Sequence, residues 1–449
     1  MDVLLARPPR RDLRDGGLPV PPLGLAYIAS ALREAGHQVE LLDALALGWT
    51  WEQYRQHLSV RRPEILGLSA MTPVADLAAR AARIARPHVG RIVLGGPHPT
   101  ALGDEVFEQM PELDAAVEGE GEVSAPELLA WWERGGQGEP PAGVRVPGRP
   151  FRAARVPEIL ENLPRPAWDL LPMGAYRYLF ATRPRFATMV SSRGCPFRCT
   201  FCDKSVGGSR WRARSSEDVV DEMAVLVRDW KVGFINFYDD NFLLKRGRVV
   251  DICEEILRRK IDVEWKCEGR VDSVDPELLE LMRRAGCRVV AYGVESANPE
   301  TLALLRKDIT VGQAERAFAA TRQAGLRSLA YVILGSPGED AAQVRRTVDF
   351  CRRIDADYVQ FSTLAAYPGT ALFAGAMPGV DLRSTRDVPG PVDSDHRRQV
   401  VTDLSEEERE VCLERVHAHF SIRQGLQLQR GGYIERDKGP ELDTPFGDS

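Results

Sequence analysis

The chain has 449 residues, 44% of them hydrophobic and 28% charged, and a formal net charge of −6. That length provides for two or three globular domains, and the acidic balance speaks against a nucleic-acid partner, whose phosphates need a basic face. No run of 18 apolar residues occurs, so no stable membrane insertion is expected. Eight cysteines without a disulfide-like pattern imply a reducing, cytoplasmic setting.

The first 135 residues alternate short apolar runs with helical periodicity. Strands are expected at 3–6, 39–42, 65–69, 92–95 and 115–118, with helices at 23–35, 52–58, 74–86, 103–109 and 124–133. Such alternation predicts an α/β, doubly wound, Rossmann-like parallel sheet whose ligand lies beyond the carboxyl ends of the strands. The loops at those ends carry Arg7-Pro8-Pro9-Arg10, Ser69-Ala70-Met71-Thr72, Gly95-Gly96-Pro97-His98-Pro99-Thr100 and Glu118-Gly119-Glu120-Gly121-Glu122. Glycines there allow a backbone to approach a bulky ligand. This half resembles the cobalamin-binding domains that precede the catalytic domain in one large subgroup of radical S-adenosylmethionine (SAM) enzymes. The resemblance implies cobalamin contacts from Pro8, Ser69, Gly95, Gly96, His98, Thr100, Glu118, Gly119 and Glu120. The Asp-x-His-x-x-Gly motif that places a histidine below cobalt in many cobalamin enzymes is missing. His98 is therefore expected at the cofactor's tail, or else as a loop histidine that caps a helix.

Residues 136–186 open with Gly135-Gly136-Gln137-Gly138-Glu139-Pro140-Pro141 and are rich in proline, which reads as a linker with a small hairpin. Alternation resumes over 187–370. Strands are expected at 188–191, 234–238, 263–267, 289–294, 328–334 and 358–363, with helices between them. Six strand–helix units suit a partial (β/α)6 barrel with its active face at the carboxyl ends of the strands. Residues 371–449 form an extension, with one long helix expected over 404–423, opened by Ser405 and an acidic first turn, and a frayed end.

After the first barrel strand comes Ser191-Ser192-Arg193-Gly194-Cys195-Pro196-Phe197-Arg198-Cys199-Thr200-Phe201-Cys202. Three soft thiolates in a C-x3-C-x2-C run suit three irons of a [4Fe–4S] cluster and leave the fourth iron open. Structural zinc would need a fourth ligand at like spacing, and the next cysteine, Cys253, lies 51 residues on. The run resembles the signature of radical SAM enzymes, in which the open iron chelates the amino-acid end of SAM.

The later strand ends carry further polar groups in order. The resemblance implies that Asp239 or Asp240 receives the ammonium of SAM, and that Arg270 meets a carboxylate. Glu295 and Ser296 would reach the ribose, and the backbone at Gly335 the adenine. The resemblance is closest to the cobalamin-dependent subgroup that contains the anaerobic magnesium-protoporphyrin cyclases, hopanoid enzymes and natural-product methylases. It implies three cofactors: a [4Fe–4S] cluster, SAM and cobalamin. It also implies a small-molecule substrate and an electron donor such as flavodoxin or ferredoxin. The expected reaction is reductive cleavage of SAM to a 5′-deoxyadenosyl radical and hydrogen abstraction. Methyl transfer from methylcobalamin to an unactivated carbon or to phosphorus would follow. Oxidative cyclisation or rearrangement without methyl transfer is the alternative.

Overall fold

The computed structural model describes residues 1–10, 19–375 and 434–435; the helix expected over 404–423 lies outside them. Two parallel sheets follow one another along the chain. The first is built from β1 (Asp2–Arg7), β2 (Gln38–Asp43), β3 (Ile65–Ser69), β4 (Arg91–Gly95), β5 (Ala115–Val117) and β6 (Val144–Arg145), in the order β2-β1-β3-β4-β5-β6. The apolar run Val3–Ala6 is buried on both faces, as a central parallel strand requires. Helices α1 (Leu23–Glu34) and α6 (Gly121–Glu133) pack on one face; α2 (Trp51–Arg61) and α3 (Ala75–Ala85) lie on the other, in a separate apolar cluster. The order reverses at β1, so the switch point falls beside β1 and β3.

Two short helices, α4 (Pro97–Leu102) and α5 (Glu105–Gln109), follow β4. The expected Gly-Pro-His-Pro-Thr loop is therefore largely helical. Gly96, at φ 95°, turns the chain, and Pro97 occupies the first turn, where its missing N–H costs nothing.

No hairpin forms in residues 136–186. β6 instead adds an antiparallel edge to β5, and 3₁₀ turns at Leu160–Asn162 and Trp168–Leu170 follow. Prolines and turn residues mark this stretch as a linker, but the apolar anchors between them decide the path. Ala167, Trp168, Leu171, Met173, Tyr176 and Phe180 are buried and join the α1/α6 face of the first sheet to the barrel core in one continuous cluster.

The second sheet takes the order β7 (Phe186–Met189), β10 (Phe234–Phe237), β11 (Glu264–Gly269), β12 (Cys287–Glu295), β13 (Arg327–Leu334), β14 (Tyr358–Thr363). These six strands are parallel, and β15 (Ile434–Glu435) adds antiparallel to β14. Between them run α7 (Ser216–Trp230), α8 (Arg246–Arg259), α9 (Pro276–Arg284), α10 (Pro299–Leu304), α11 (Val311–Gln323) and α12 (Ala341–Arg353). Their starts are written in the sequence: Ser215, Asp275, Thr310 and Asp340 each accept a cap hydrogen bond, the last two within full capping boxes. A short ribbon of β8 (Ser192–Arg193) and β9 (Arg212–Ala213) stands above the barrel.

The gap between the first and last parallel strands is closed by linker aromatics. Tyr178 stacks on Phe186 of β7 at 4.6 Å and meets Phe180 at 5.5 Å. Phe180 meets Tyr358 of β14 edge-on at 4.7 Å. Phe180 is 1% exposed. Phe180→Ala is expected to cost about 3–5 kcal/mol, read as a lower urea midpoint of unfolding.

Candidate active site

The ribbon β8/β9 closes a loop that holds all three cysteines of the motif. Gly194 opens it at φ 82°, and a Cβ there would lie 2.3 Å from the Arg210 carbonyl, so no other residue fits. The Cys195 N–H donates to the Gly208 carbonyl at 3.2 Å, and the Thr200 N–H to that of Leu305 at 3.0 Å. All three thiols are free and partly exposed. Burial pushes the Cys199 thiol up, and Cys202 up to about 12; the other cysteines of the loop push both the same way. The three groups therefore sit close enough to repel one another as thiolates, and a cationic metal relieves that repulsion. Among the described residues no three His, Cys, Asp or Glu side chains converge tightly enough for a single metal ion. Three thiols spread over a loop fit the corners of a cluster better than one ion.

Asp239, placed by sequence against the ammonium of SAM, is committed elsewhere. It is 3% exposed and accepts from the Ser191 N–H at 2.7 Å, the Ser191 hydroxyl at 2.6 Å and the Ser192 hydroxyl. Burial pushes its carboxyl above the usual range, while the charge of Arg248 and these bonds pull it back. Asp240 is exposed to the cleft and accepts from the Gly194 N–H at 2.8 Å. Both carboxylates thus hold the chain on either side of Arg193, and of the two only Asp240 faces open space.

Arg270 is likewise taken up. It donates to both oxygens of Asp272 and to the carbonyls of Lys307 and Asp308, at 2.7–3.0 Å. Four of its five N–H groups are used, and its plane lies 3.8 Å from the centre of the Phe197 ring in the cysteine loop. It clamps the loop after α10 to the cysteine loop and does not present a free fork to a carboxylate.

Glu295 ends β12 in the left-handed region, at φ 63°, a conformation costly for a glutamate. Its Oε1 accepts from Lys307 Nζ at 2.7 Å, and both side chains are nearly buried. Ser296 is buried in a network with Thr347 and Asn298, away from any open face. The Gly335 N–H donates to Glu339 at 2.7 Å, and the hydroxyl of neighbouring Ser336 is buried without a partner.

Three further features stand at this face. Lys307 sits over the Phe201 ring at 5.9 Å, between Glu295 and the cysteine loop. Asn241 is 2% exposed with neither its Oδ1 nor its Nδ2 partnered, directly after the two aspartates; its place in the Asp-Asp-Asn run was the one available signal. Inside the barrel, Lys266 is fully buried and donates to Glu268 at 2.6 Å and Asn236 Oδ1 at 3.3 Å, and the Tyr331 hydroxyl donates to the same Glu268 oxygen at 2.8 Å. Thr188 Oγ1, Asn236 Nδ2 and Gln360 Oε1 are buried nearby on neighbouring strands with no partner.

A cavity of about 490 Å³ runs from the α1/α6 face of the first sheet to the cysteine ribbon. Its deep part is apolar, with Leu5, Ile28, Ile65, Val93 and Leu128. Its mouth is formed by Ser69, Met71, Gly95, Gly96, Gly119 and Glu120 on one side, and by Ser192, Arg193, Tyr238 and Asp240 on the other. Glycine is required at Gly96 in this wall: φ is 95° there, and a Cβ would lie 2.8 Å from Ser69 Oγ and 2.9 Å from the Ala70 carbonyl oxygen. Its size and its apolar depth fit a bulky cofactor with an apolar tail.

The other expected contacts of this half lie behind that wall. His98 is 3% exposed, and its ring nitrogens meet Thr72 Oγ1 and Gln109 Oε1, each at 3.2 Å. It braces α4 against α5 and does not line the cavity. Thr100 accepts from the Gly119 N–H at 3.0 Å and donates to the Gly96 carbonyl at 2.8 Å, tying the two glycine loops together. Glu118 pairs with Arg145 of β6, and Pro8 is buried outside the wall. Helix α4 is the cause: it rotates His98 inward, a turn that loop-like composition does not reveal.

A model of the radical SAM superfamily matches residues 189–351, and one of the B12 binding domain matches residues 13–129. An uncharacterized methyltransferase of Pyrococcus horikoshii is 34% identical over 389 residues, covering 84% of this chain and 83% of that protein. The anaerobic magnesium-protoporphyrin IX monomethyl ester cyclase of Rubrivivax gelatinosus is 30% identical, over 79% of this chain and 66% of the cyclase. Among solved structures, the radical SAM methyltransferase TsrM of Kitasatospora setae, with cobalamin and a [4Fe–4S] cluster bound, superposes with a TM-score of 0.73. That match covers 93% of this chain and 88% of TsrM at 20% identity, and so shows a shared fold.

Asp239→Ala is expected to orphan three buried donors at about 1–3 kcal/mol each. Iron bound per chain after anaerobic reconstitution then falls well below wild type. Were Asp239 a SAM contact alone, iron content would hold and only SAM affinity would fall.

Proposed function

The chain belongs to the cobalamin-dependent radical SAM enzymes, and we propose that it transfers a methyl group to an unactivated carbon, or to phosphorus, of a small-molecule substrate. The observation that carries this reading is a cavity whose mouth is shared by the glycine loops of the first sheet and the cysteine ribbon of the barrel. The methyltransferase of Pyrococcus horikoshii, similar over most of both chains, supports methyl transfer over cyclisation.

When bound, the cluster with SAM supplies a radical able to take a hydrogen atom, and cobalamin supplies the methyl group. Cys195, Cys199 and Cys202 would hold three irons of the cluster. Asp240 and the unpartnered amide of Asn241 would receive the amino-acid end of SAM. Glu295 would accept from its ribose hydroxyls, with Lys307 fixing the carboxylate, and the backbone around Gly335 with the Ser336 hydroxyl would meet the adenine. The cavity between Ser69, Gly95, Gly96, Gly119 and Glu120 would take cobalamin. The substrate would enter the barrel from its carboxyl end and meet Glu268, Tyr331 and Gln360. No side-chain acid or base is required for hydrogen abstraction, and no histidine occurs between His98 and His396. What the protein contributes is alignment and exclusion of water.

A one-electron donor of the flavodoxin or ferredoxin kind would reduce the cluster. Seven free cysteines among the described residues suit the reducing cytoplasm. Among those residues no helix is long and apolar enough to cross a membrane.

Replacing Cys195, Cys199 or Cys202 by Ala is expected to abolish 5′-deoxyadenosine formation under strong reductant while cobalamin stays bound, seen in its visible spectrum. Retained SAM cleavage in any one of the three would sink the assignment. With substrate, the product should gain one methylene unit by mass; a product that loses hydrogen without gaining carbon would identify a cyclase instead.

A further inference from the structure

Arg193 and Arg212 flank the cysteine loop and are partners across the β8/β9 ribbon. Both reach out of the barrel to one loop of the first sheet. Arg193 donates to Glu120 Oε2 at 2.8 Å and to Glu122 Oε1 at 2.6 Å. Arg212 donates to Glu120 Oε2 at 3.1 Å and also engages Oε1. The side chains of Glu120, Arg212 and Glu122 are 2%, 4% and 6% exposed, and that of Arg193 14%. Two carboxylates and two guanidiniums make the cluster neutral. Arg212 also donates to the carbonyls of Pro157 and Gly207, the latter inside the cysteine loop, and Arg193 lies 5.0 Å over the Tyr27 ring of α1.

Buried ion pairs rarely add net stability over apolar packing, because desolvation cancels the attraction. What three interlocked ion pairs joined by four hydrogen bonds do supply is one geometry. This cluster joins the Gly119–Glu122 loop, which lines the cavity assigned to cobalamin, to the ribbon that carries the cysteines. We infer that Glu120, Glu122, Arg193 and Arg212 are positioning residues that set the separation between the corrin and the iron–sulfur cluster, an inference that rests on the proposed function. The hydrogen taken on one side and the methyl delivered from the other must meet at one substrate atom. A misplacement of about 1 Å at such a junction can cost on the order of 100-fold in rate.

The test is spectroscopic and needs no substrate. Holoenzyme carrying cob(II)alamin and the one-electron-reduced [4Fe–4S] cluster has two unpaired electrons, whose dipolar coupling in pulsed electron paramagnetic resonance reports their separation. Wild type should give one narrow separation. Arg212 lines neither the cavity nor the cysteine triad, so Arg212→Gln removes its tie to Glu120, and its bonds to the Pro157 and Gly207 carbonyls, without replacing a wall residue; the separation should broaden or shift by about 1 Å or more. Arg212→Lys, which keeps the charge but not the fork, should fall between the two. Should the single variant fail to fold, Glu120→Gln with Arg212→Gln removes one charge of each sign and leaves Arg193 paired with Glu122. A separation as narrow and as long as wild type in these variants would overturn the inference. Absence of either paramagnetic signal from wild type would strike at the proposed function instead.

Discussion

Asp239 accepts three hydrogen bonds from Ser191 and Ser192, and the position of the cysteine loop follows from them. β7 ends at Met189, two residues before the edge of its expected range, because the next backbone groups leave the ladder for this carboxylate. The Ser191 carbonyl is held as well, by Arg248 of α8 at 2.7 Å. Ser191 is thus gripped on both its N–H and its C=O by groups from the neighbouring strand and helix. Asp240 then takes the Gly194 N–H, and the only residue that can make the next turn is glycine. The end of β10 thus anchors the start of the cysteine loop.

How far the sequence revealed this molecule depends on the range of the interaction involved. The strands and helices rest on local periodicity and caps, and they fall close to their expected limits; so does the cysteine loop after the first barrel strand. The identity of a strand-end side chain was also legible, but not its allegiance. Asp239 is claimed by residues 47 and 48 positions away, and Arg270 by carbonyls 37 and 38 positions away. Sequence position puts such groups at the active face and cannot say whether a neighbour captures them first. His98 failed for a different reason: prolines that read as loop instead start a helix, which turns the ring inward. The linker failed because its prolines and glycines are conspicuous while its work is done by Tyr178 and Phe180.

Charge is handled in the same way throughout the site. Glu295 faces Lys307, Lys266 faces Glu268, and Glu120 with Glu122 faces two arginines. An isolated buried ion is prohibitively costly, so each is neutralised within its own shell. The consequence is an active face whose buried charges are paired and whose dipoles are held in fixed orientations. The thiols are the exception. Burial raises Cys199 and Cys202 against the opposing charges of Lys307 and Lys204, which favours the protonated form of these two. Metal binding must displace those protons, and the loop's order and its metal content are coupled.

The two sheets therefore meet through groups that are also walls of the site. Ser192 and Arg193 precede the cysteines and line the cavity; Glu120 lies between the two glycines that flank it and locks the ribbon in place. A side chain in that position cannot change without moving the site on its other side. The barrel lumen has no such double duty. Lys266 and Tyr331 both donate to Glu268, and the unpartnered polar atoms of Thr188, Asn236 and Gln360 lie on neighbouring strands. A buried donor or acceptor left unpaired discriminates strongly between substrates that satisfy it and those that do not. On the proposed function, selection among substrates would fall to the polar layer inside the barrel, and the start of the reaction to the loops above it.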